Sequence, residues 1–274
     1  MPSSNPLRRD NAQTDIPQAH EALAAYLSEQ LDGRPVVIER SERLSGGAIQ
    51  ENWLIEAVVH EAKGPLRQRW VLRTDAASAV AASMSREQEF AVLRTVYQAG
   101  VNVPEPLWLC HDLQVIGRVF FVMQALAGNA SGFGLTTTAF SDEQRRAICI
   151  QLGACLARLH QVTPPQAGLG FLGSPVSDPV QDSVDRYRHF LDTLPERHPA
   201  LEWGLRWCEL NKPAPLAPCL IHRDYRTGNY LLDNGVLTGV LDWEFAGWGD
   251  PVRTSAGSRH AAGASPARTW RQAA

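Results

Sequence analysis

Three oxygen-bearing side chains lie close together in the last third of the sequence. Asp224 and Asn229 share the polar loop of "LIHRDYRTGN", and Asp242 follows a second apolar run in "VLTGVLDWEFAG". Carboxylate and amide oxygens are ligands that suit Mg²⁺, and a carboxylate beside them can accept a proton from a hydroxyl. This order and spacing indicate phosphoryl transfer, with Asn229 and Asp242 as metal ligands and Asp224 as the base.

These residues need an element that brings them together, and a turn signal supplies one. Residues 233–235 read Asp-Asn-Gly between two apolar runs, which predicts a β-hairpin with a tight turn. The outer ends of a hairpin are neighbours, so we expect Asn229 and Asp242 to meet. An Asp followed by an Asn in a loop is by itself more often turn chemistry, so the hypothesis depends on all three residues together.

The rest of the chain predicts an α+β protein. Up to about residue 128, β-branched segments and one amphipathic segment occur in the order strand, strand, strand, helix, strand, strand, which suits a small antiparallel sheet with one packed helix. From about residue 140 the pattern is helical, and Ser141 is the expected N-cap of the first long helix. Gly46 and Gly47, between the first two strands, are either a plain turn or a loop that admits phosphate.

Several segments resemble one known group of enzymes. From about Arg43 to Pro251 the sequence is similar to the aminoglycoside phosphotransferase and choline kinase group of protein-kinase-like small-molecule kinases. The similar segments are "RLSGGAIQENW", "WVLRTD", "REQEFAVLRTV", "FFVMQALAG", "LARLH", "HRDYRTGN" and "LDWEFAGWGDP". The last two are the most specific. The resemblance implies a two-lobed kinase-like fold, with a small antiparallel-sheet N-lobe and a mostly helical C-lobe.

The resemblance also implies an activity and its ligands. It predicts an ATP- and Mg²⁺-dependent phosphotransferase that transfers the γ-phosphate to a hydroxyl of a small molecule, with Asp224 as catalytic base. Arg73 stands where the group commonly has a lysine that contacts the phosphates, and an arginine keeps the charge but changes the shape. The nucleotide-binding residues implied are Ser45, Gly46, Gly47, Arg73, its helix partner Glu89, and the backbone at Gln124 and Leu126.

The end of the sequence departs from the group's pattern. Residues 252–274 contain no Leu, Ile or Phe, which is typical of a disordered tail. Suitable synonymous codons for this segment also allow "ADLGWFTARCWRF" in an alternative frame, which resembles the group's continuation. We therefore predict a frameshift near codon 251, an incomplete C-lobe and weak or absent turnover. The alternative function is a catalytically impaired, nucleotide-binding remnant of such a kinase.

The predicted organisation has four parts. These are a flexible N-terminus at 1–16, an N-lobe at 17–128, a C-lobe at 129–251 and an aberrant tail at 252–274. Within the C-lobe, His222 is predicted to be structural, and four tryptophans are predicted to be core residues: Trp203, Trp207, Trp243 and Trp248.

Composition excludes several other classes of function. The 274-residue chain is 44% hydrophobic and 20% charged with a net charge of −3, so no basic surface indicates nucleic acid. The N-terminus lacks the apolar core of a signal peptide and no apolar run has membrane-spanning length, which predicts a cytoplasmic protein without a membrane partner. The five scattered cysteines suit reduced, buried thiols. The identity of the hydroxyl acceptor and the oligomeric state are left open.

Overall fold

The structure is a computed structural model that describes residues 16–44, 50–75, 83–132, 135, 138 and 140–252. The predicted phosphate-loop residues Ser45, Gly46 and Gly47 lie outside the described residues. So do almost all of the predicted N-terminal and C-terminal segments. The chain divides into two compact units: residues 1–94 with 104–126, and residues 95–103 with 127–274.

The first unit is built on the predicted five-stranded sheet. All its neighbouring strands are antiparallel, in the order β1-β2-β3-β5-β4. Its strands are β1 (Val36–Arg43), β2 (Gln50–Glu61), β3 (Gly64–Asp75), β4 (Pro106–Cys110) and β5 (Phe120–Gln124). Its helices are α1 (His20–Gln30), after a 3₁₀ turn at Ile16–Ala19, α2 (Arg86–Gln98), whose last residues belong to the second unit, and the short α3 (Leu113–Ile116).

The core of this unit follows the alternation that the sequence predicts for a half-buried strand. From Trp53 to Val59 of β2, every second side chain is buried, because successive side chains of a strand point to opposite faces of the sheet. These inward residues pack in one cluster with Leu23 and Leu27 of α1. On α2, Phe90 meets Phe121 of β5 with ring centroids 5.7 Å apart. The sheet thereby positions α2, which matters because α2 carries Glu89.

The described part of the second unit contains three long helices and two short strand pairs. Its helices are α4 (Asp142–Leu159), α5 (Pro179–Asp192) and α6 (Pro199–Leu210). The antiparallel pairs are β6 (Cys219–Ile221) with β9 (Gly247–Gly249), and β7 (Tyr230–Asp233) with β8 (Val236–Val240). The N-cap prediction is confirmed, since Ser141 Oγ accepts from Gln144 N at 3.2 Å and Gln144 returns a bond to Ser141 N.

The predicted hairpin is present and is held by α4. Asn234 and Gly235 have φ angles of +50° and +83°, the pair of positive values that a type I′ turn requires. The side-chain amide of Gln151 in α4 forms two hydrogen bonds with this turn. Its Nε2 donates to Gly235 O at 3.0 Å, and its Oε1 accepts from Leu237 N at 2.9 Å. The hairpin is therefore fixed on the longest helix of the unit.

Two glycines should respond in opposite directions to the same substitution. Gly235→Ala should lower the free energy of unfolding by about 1 kcal/mol, because a Cβ strains the left-handed backbone. Gly153→Ala, in an exposed turn of α4 with open space around the new methyl group, should raise it by about 0.5–1 kcal/mol. Urea denaturation measures both. Two changes of the same sign would contradict the turn geometry or the helix.

The prediction that four tryptophans are core residues is half wrong. Trp243 and Trp248 are buried, whereas Trp203 and Trp207 on α6 are 74% and 58% exposed. The reason lies in which face of α6 meets α5. Arg188 of α5 binds Glu202 at 2.7 Å and also binds Glu209, so the charged face of α6 is the one that packs. The tryptophan face is turned away from α5.

Candidate active site

The loop from β6 to β7 is held by a buried histidine. His222 is fully buried, its Nε2 lies 2.8 Å from Leu241 O, and its Nδ1 accepts from Asp224 N at 3.3 Å. The ring also packs edge-on against Trp243, with centroids 4.6 Å apart. These contacts join the start of the loop to the end of β8, and they agree with a structural role for His222.

Tyr225 anchors the same loop to α4. Its hydroxyl donates to Leu152 O at 3.1 Å, and its ring is almost fully buried. Burial raises the pKa of this phenol well above its ordinary value, so the hydroxyl stays protonated and remains a donor. The residue beside it, Asp224, is therefore carried on a loop that is fixed on both sides.

Asp224 and Asn229 are in direct contact. Asn229 Nδ2 donates to Asp224 Oδ2 at 2.6 Å and to Asp224 O at 2.9 Å. Asn229 is buried, while the Asp224 side chain keeps 29% of its surface exposed. The amide thus orients the carboxylate without covering it, which is the arrangement that a base acting on a small-molecule hydroxyl needs.

The hairpin brings Asp242 next to Asn229, as predicted. Leu241 N donates to Asn229 O at 2.7 Å, so Asp242 follows a residue that is bonded to Asn229. Asp242 has a φ of +68°, a left-handed conformation that non-glycine residues seldom adopt. Such a conformation costs free energy and is held by its surroundings, and it is common at functional sites.

The donor set of these residues fits a magnesium ion. Because Asn229 uses its Nδ2 on Asp224, its Oδ1 is the atom left to face a ligand, and Asp242 contributes a carboxylate. Across the described ranges, no three His, Cys, Asp or Glu side chains form a group that could hold a metal ion. A divalent ion here would therefore depend on Asn229, Asp242 and the oxygens of phosphate and water, as Mg²⁺ commonly does.

In the first unit, Arg73 and Glu89 form the predicted pair. Arg73 of β3 binds Glu89 of α2 through two parallel contacts, Nη2 to Oε1 at 2.8 Å and Nε to Oε2 at 3.0 Å. Both side chains are buried, and Arg73 also donates to Asn52 Oδ1 at 3.2 Å. An arginine can form two parallel hydrogen bonds with one carboxylate, and a lysine cannot.

A second arginine in this cluster was missed by the sequence analysis. Arg86 is fully buried, its Nη1 binds Glu89 Oε2, and its Nη2 donates to Met84 O at 3.0 Å. Its Nε lies 2.9 Å from Asp75 Oδ1 without hydrogen-bond alignment. The spacing of three residues between Arg86 and Glu89 on one helix was the available signal. Glu89 is therefore shared by two guanidinium groups.

Gln124 and Leu126 lie at and just beyond the end of β5. The N–H of Gln124 donates to Glu105 O at 2.9 Å, and that of Ala125 donates to Arg69 O at 3.2 Å. Two N–H groups of the predicted adenine-binding segment therefore already donate to backbone oxygens of the protein. A ring bound at this segment would thus need the N–H of Leu126 and backbone carbonyls.

Comparison with known proteins identifies the class. The profile of the phosphotransferase enzyme family matches residues 41–253, and the chain belongs to that family. The matched range contains β2 to β5 of the sheet, α2, the loop of Asp224 and the hairpin. Within the described residues, none of the helices combines the length and apolar character needed to cross a membrane.

The sequence relatives are much longer proteins, and only a part of each matches this chain. The chain is 30% identical over 174 residues to acyl-CoA dehydrogenase family member 10 of Mus musculus, which covers 60% of this chain and 16% of that protein. It is 27% identical over 248 residues to probable acyl-CoA dehydrogenase IBR3 of Arabidopsis thaliana, covering 85% and 29%. The chain thus spans less than a third of either relative.

Solved structures share the fold. A candidate aminoglycoside phosphotransferase from Ralstonia eutropha matches with a TM-score of 0.65 at 24% identity, covering 87% of this chain and 67% of that one. The macrolide 2'-phosphotransferase MphH from Brachybacterium faecium matches with a TM-score of 0.57 at 20% identity, covering 93% and 86%. The protein-kinase-like fold, an antiparallel N-terminal sheet followed by a helical region, is therefore confirmed.

Proposed function

We propose that this protein is an ATP- and Mg²⁺-dependent phosphotransferase that phosphorylates a hydroxyl group of a small molecule. The observation that carries the proposal is the joining of Asp224, Asn229 and Asp242 by the loop and the hairpin, with Asn229 bonded both to Asp224 and to Leu241. Family membership supports the same reaction class. A ternary complex of one structural relative, APH(2")-IIa, contains ATP and streptomycin, which supports ATP as the donor.

Asp224 would act as the base. The acceptor hydroxyl donates its hydrogen bond to the Asp224 carboxylate, its oxygen attacks the γ-phosphorus, and the proton passes to Asp224 as the bond to ADP breaks. Asn229 keeps the carboxylate oriented through its Nδ2. Mg²⁺ held by Asn229 and Asp242 would supply positive charge to the phosphate oxygens.

In the first unit, the Arg73 and Glu89 pair would serve the nucleotide phosphates. Glu89 holds the guanidinium of Arg73 in one orientation, which lowers the entropy cost of binding an anion. Arg86 also binds Glu89 and lies 2.9 Å from Asp75, so it helps to fix the position of the Glu89 carboxylate that holds Arg73.

The names of the relatives indicate which hydroxyl compounds to test as acceptors. The names of two structural relatives point to aminoglycosides and macrolides, and the names of the sequence relatives point to acyl-coenzyme A compounds. The hydroxyls to be tested are therefore those of aminoglycosides, macrolides and hydroxyacyl thioesters. ADP release with each compound identifies the acceptor.

Nucleotide binding is the first test. Mg·ATP at about 100 times its Kd should stabilise the folded chain by about 2.7 kcal/mol, which raises the melting temperature by about 5 °C at this size. Asp242→Asn should reduce this shift, because it removes the negative charge of a proposed metal ligand. Asp233→Asn, in the turn of the same hairpin, should leave it unchanged.

The outcomes separate the two functions considered from the sequence. A melting shift together with ADP release on one acceptor supports the phosphotransferase. A shift without turnover on any acceptor identifies a nucleotide-binding protein that has lost catalysis. No shift with Mg·ATP contradicts both functions.

A further inference from the structure

The loop of Asp224 carries a second charged group that the proposed reaction has not yet used. Arg226 Nε donates to Asp224 Oδ1 at 2.8 Å, and its Nη1 donates to Thr227 O at 3.3 Å. The guanidinium lies over Gly228, where an added Cβ would come within 3.3 Å of Nη1. Gly228 has a φ of +106°, so the loop supplies both a backbone shape and a space that suit this side chain.

With Arg226 in this position, both oxygens of Asp224 are bonded. Oδ1 receives the guanidinium and Oδ2 receives the amide of Asn229. The hydroxyl that donates to Asp224 therefore has to approach an oxygen that already accepts a hydrogen bond. Movement of the guanidinium away from Oδ1 when the substrates bind would leave this oxygen to the hydroxyl.

The exchange costs little, because the Arg226 side chain is 48% exposed and that of Asp224 is 29% exposed. Ion pairs with such access to solvent contribute little to stability. A phosphoryl group carries more negative charge than one carboxylate and accepts two parallel N–H bonds from a guanidinium. It therefore competes well for Arg226 at the same site.

We infer that Arg226 is a further catalytic residue, which leaves Asp224 Oδ1 and binds the phosphoryl group during its transfer. This inference rests on the proposed function. The guanidinium takes no part in the proton transfer. The acceptor oxygen forms its bond to phosphorus, the bond from phosphorus to ADP breaks, and the released proton goes to Asp224. Arg226 thus neutralises charge on the phosphoryl oxygens while freeing the base.

Calorimetric titration of the full chain with two ligands tests this role. Mg·ADP lacks the transferred group, whereas Mg·ADP with aluminium fluoride carries a planar substitute for it. Arg226→Ala should weaken the aluminium fluoride complex by about 10-fold, the effect of one charge-assisted hydrogen bond, and leave Mg·ADP affinity within about twofold. Arg226→Lys should lie between alanine and wild type, since lysine keeps the charge and loses the two-pronged contact.

A matched control and a second background make the result specific. Arg145→Ala removes an exposed arginine that pairs with Asp142 on α4, and it should change neither affinity. In the Asp224→Asn background, Arg226→Ala should still weaken the aluminium fluoride complex. Loss of the effect in that background would show that Arg226 acts only by holding Asp224, which overturns the inference.

The remaining outcomes are equally decisive. Equal weakening of both complexes by Arg226→Ala, or no weakening of either, overturns the assignment while the proposed function stands. If the wild-type chain binds neither ligand, the proposed function fails and the role of Arg226 fails with it.

Discussion

Asp224→Asn should lower the rate of phosphoryl transfer by about 10³-fold, within the range typical of removing a general base. Asparagine has nearly the same shape and keeps an oxygen that can accept from Asn229 Nδ2, so the loop should retain its structure. It cannot accept the proton of the attacking hydroxyl. Melting temperature and Mg·ADP affinity should stay close to those of the wild type.

The measurement is single-turnover transfer from ATP, with the acceptor identified in the ADP-release screen and, separately, with water. Asp233→Asn is the control, because it makes the same chemical change in the turn of the neighbouring hairpin. It should leave the rate within about twofold, as expected for a surface substitution away from the site. An unchanged rate in Asp224→Asn would remove this residue from the role of base.

Glu89→Gln should lower the free energy of unfolding by about 3 kcal/mol, the cost of breaking a buried ion pair from one side. The Glu89 carboxylate binds Arg73 through both oxygens and Arg86 through one. Glutamine offers one acceptor oxygen and no charge. Two buried guanidinium groups would then face each other with their shared counter-charge removed.

Glu87→Gln is the matched control on the same helix. Glu87 is 40% exposed and lies 3.3 Å from His111, and its pKa is lowered mainly by a hydrogen bond with Ser85. Its substitution should cost less than about 1 kcal/mol. Urea denaturation monitored by tryptophan fluorescence compares the two variants. Similar losses of unfolding free energy in both variants would contradict the larger contribution expected of the buried Glu89 ion pairs.

The sheet of the first unit was predictable because its signal is local. β2 alternates buried and less buried side chains along its length, and this period of two is visible in the sequence. The turn at residues 233–235 was predictable for the same reason, since positive φ angles at two successive residues favour Asn and Gly. That turn alone was enough to predict that Asn229 approaches the end of β8.

Other features depend on contacts between segments far apart in the sequence. Trp203 and Trp207 have the spacing of a core stripe, yet α6 packs on α5 through Glu202 and Glu209, which leaves the tryptophans exposed. Helical periodicity shows that two faces differ. It does not show which face meets a neighbour, because that depends on the partner's side chains.

Residue types and local periods were thus enough for the order of the strands along the chain, the tight turn and the cap of α4. The pairing of charges was not predictable from them, because it depends on how the tertiary structure holds each helix and loop. Arg86 is close to Glu89 in the sequence, yet only the fold brings Arg73 and Asp75 of β3 to the same pair. Arg226 is two residues from Asp224, and the conformation of the loop decides that its guanidinium bonds to that carboxylate. In the sequence, the spacing of Arg86 and Glu89 on one helix is a signal of their contact, whereas no local pattern separates Arg226 from a solvated surface residue.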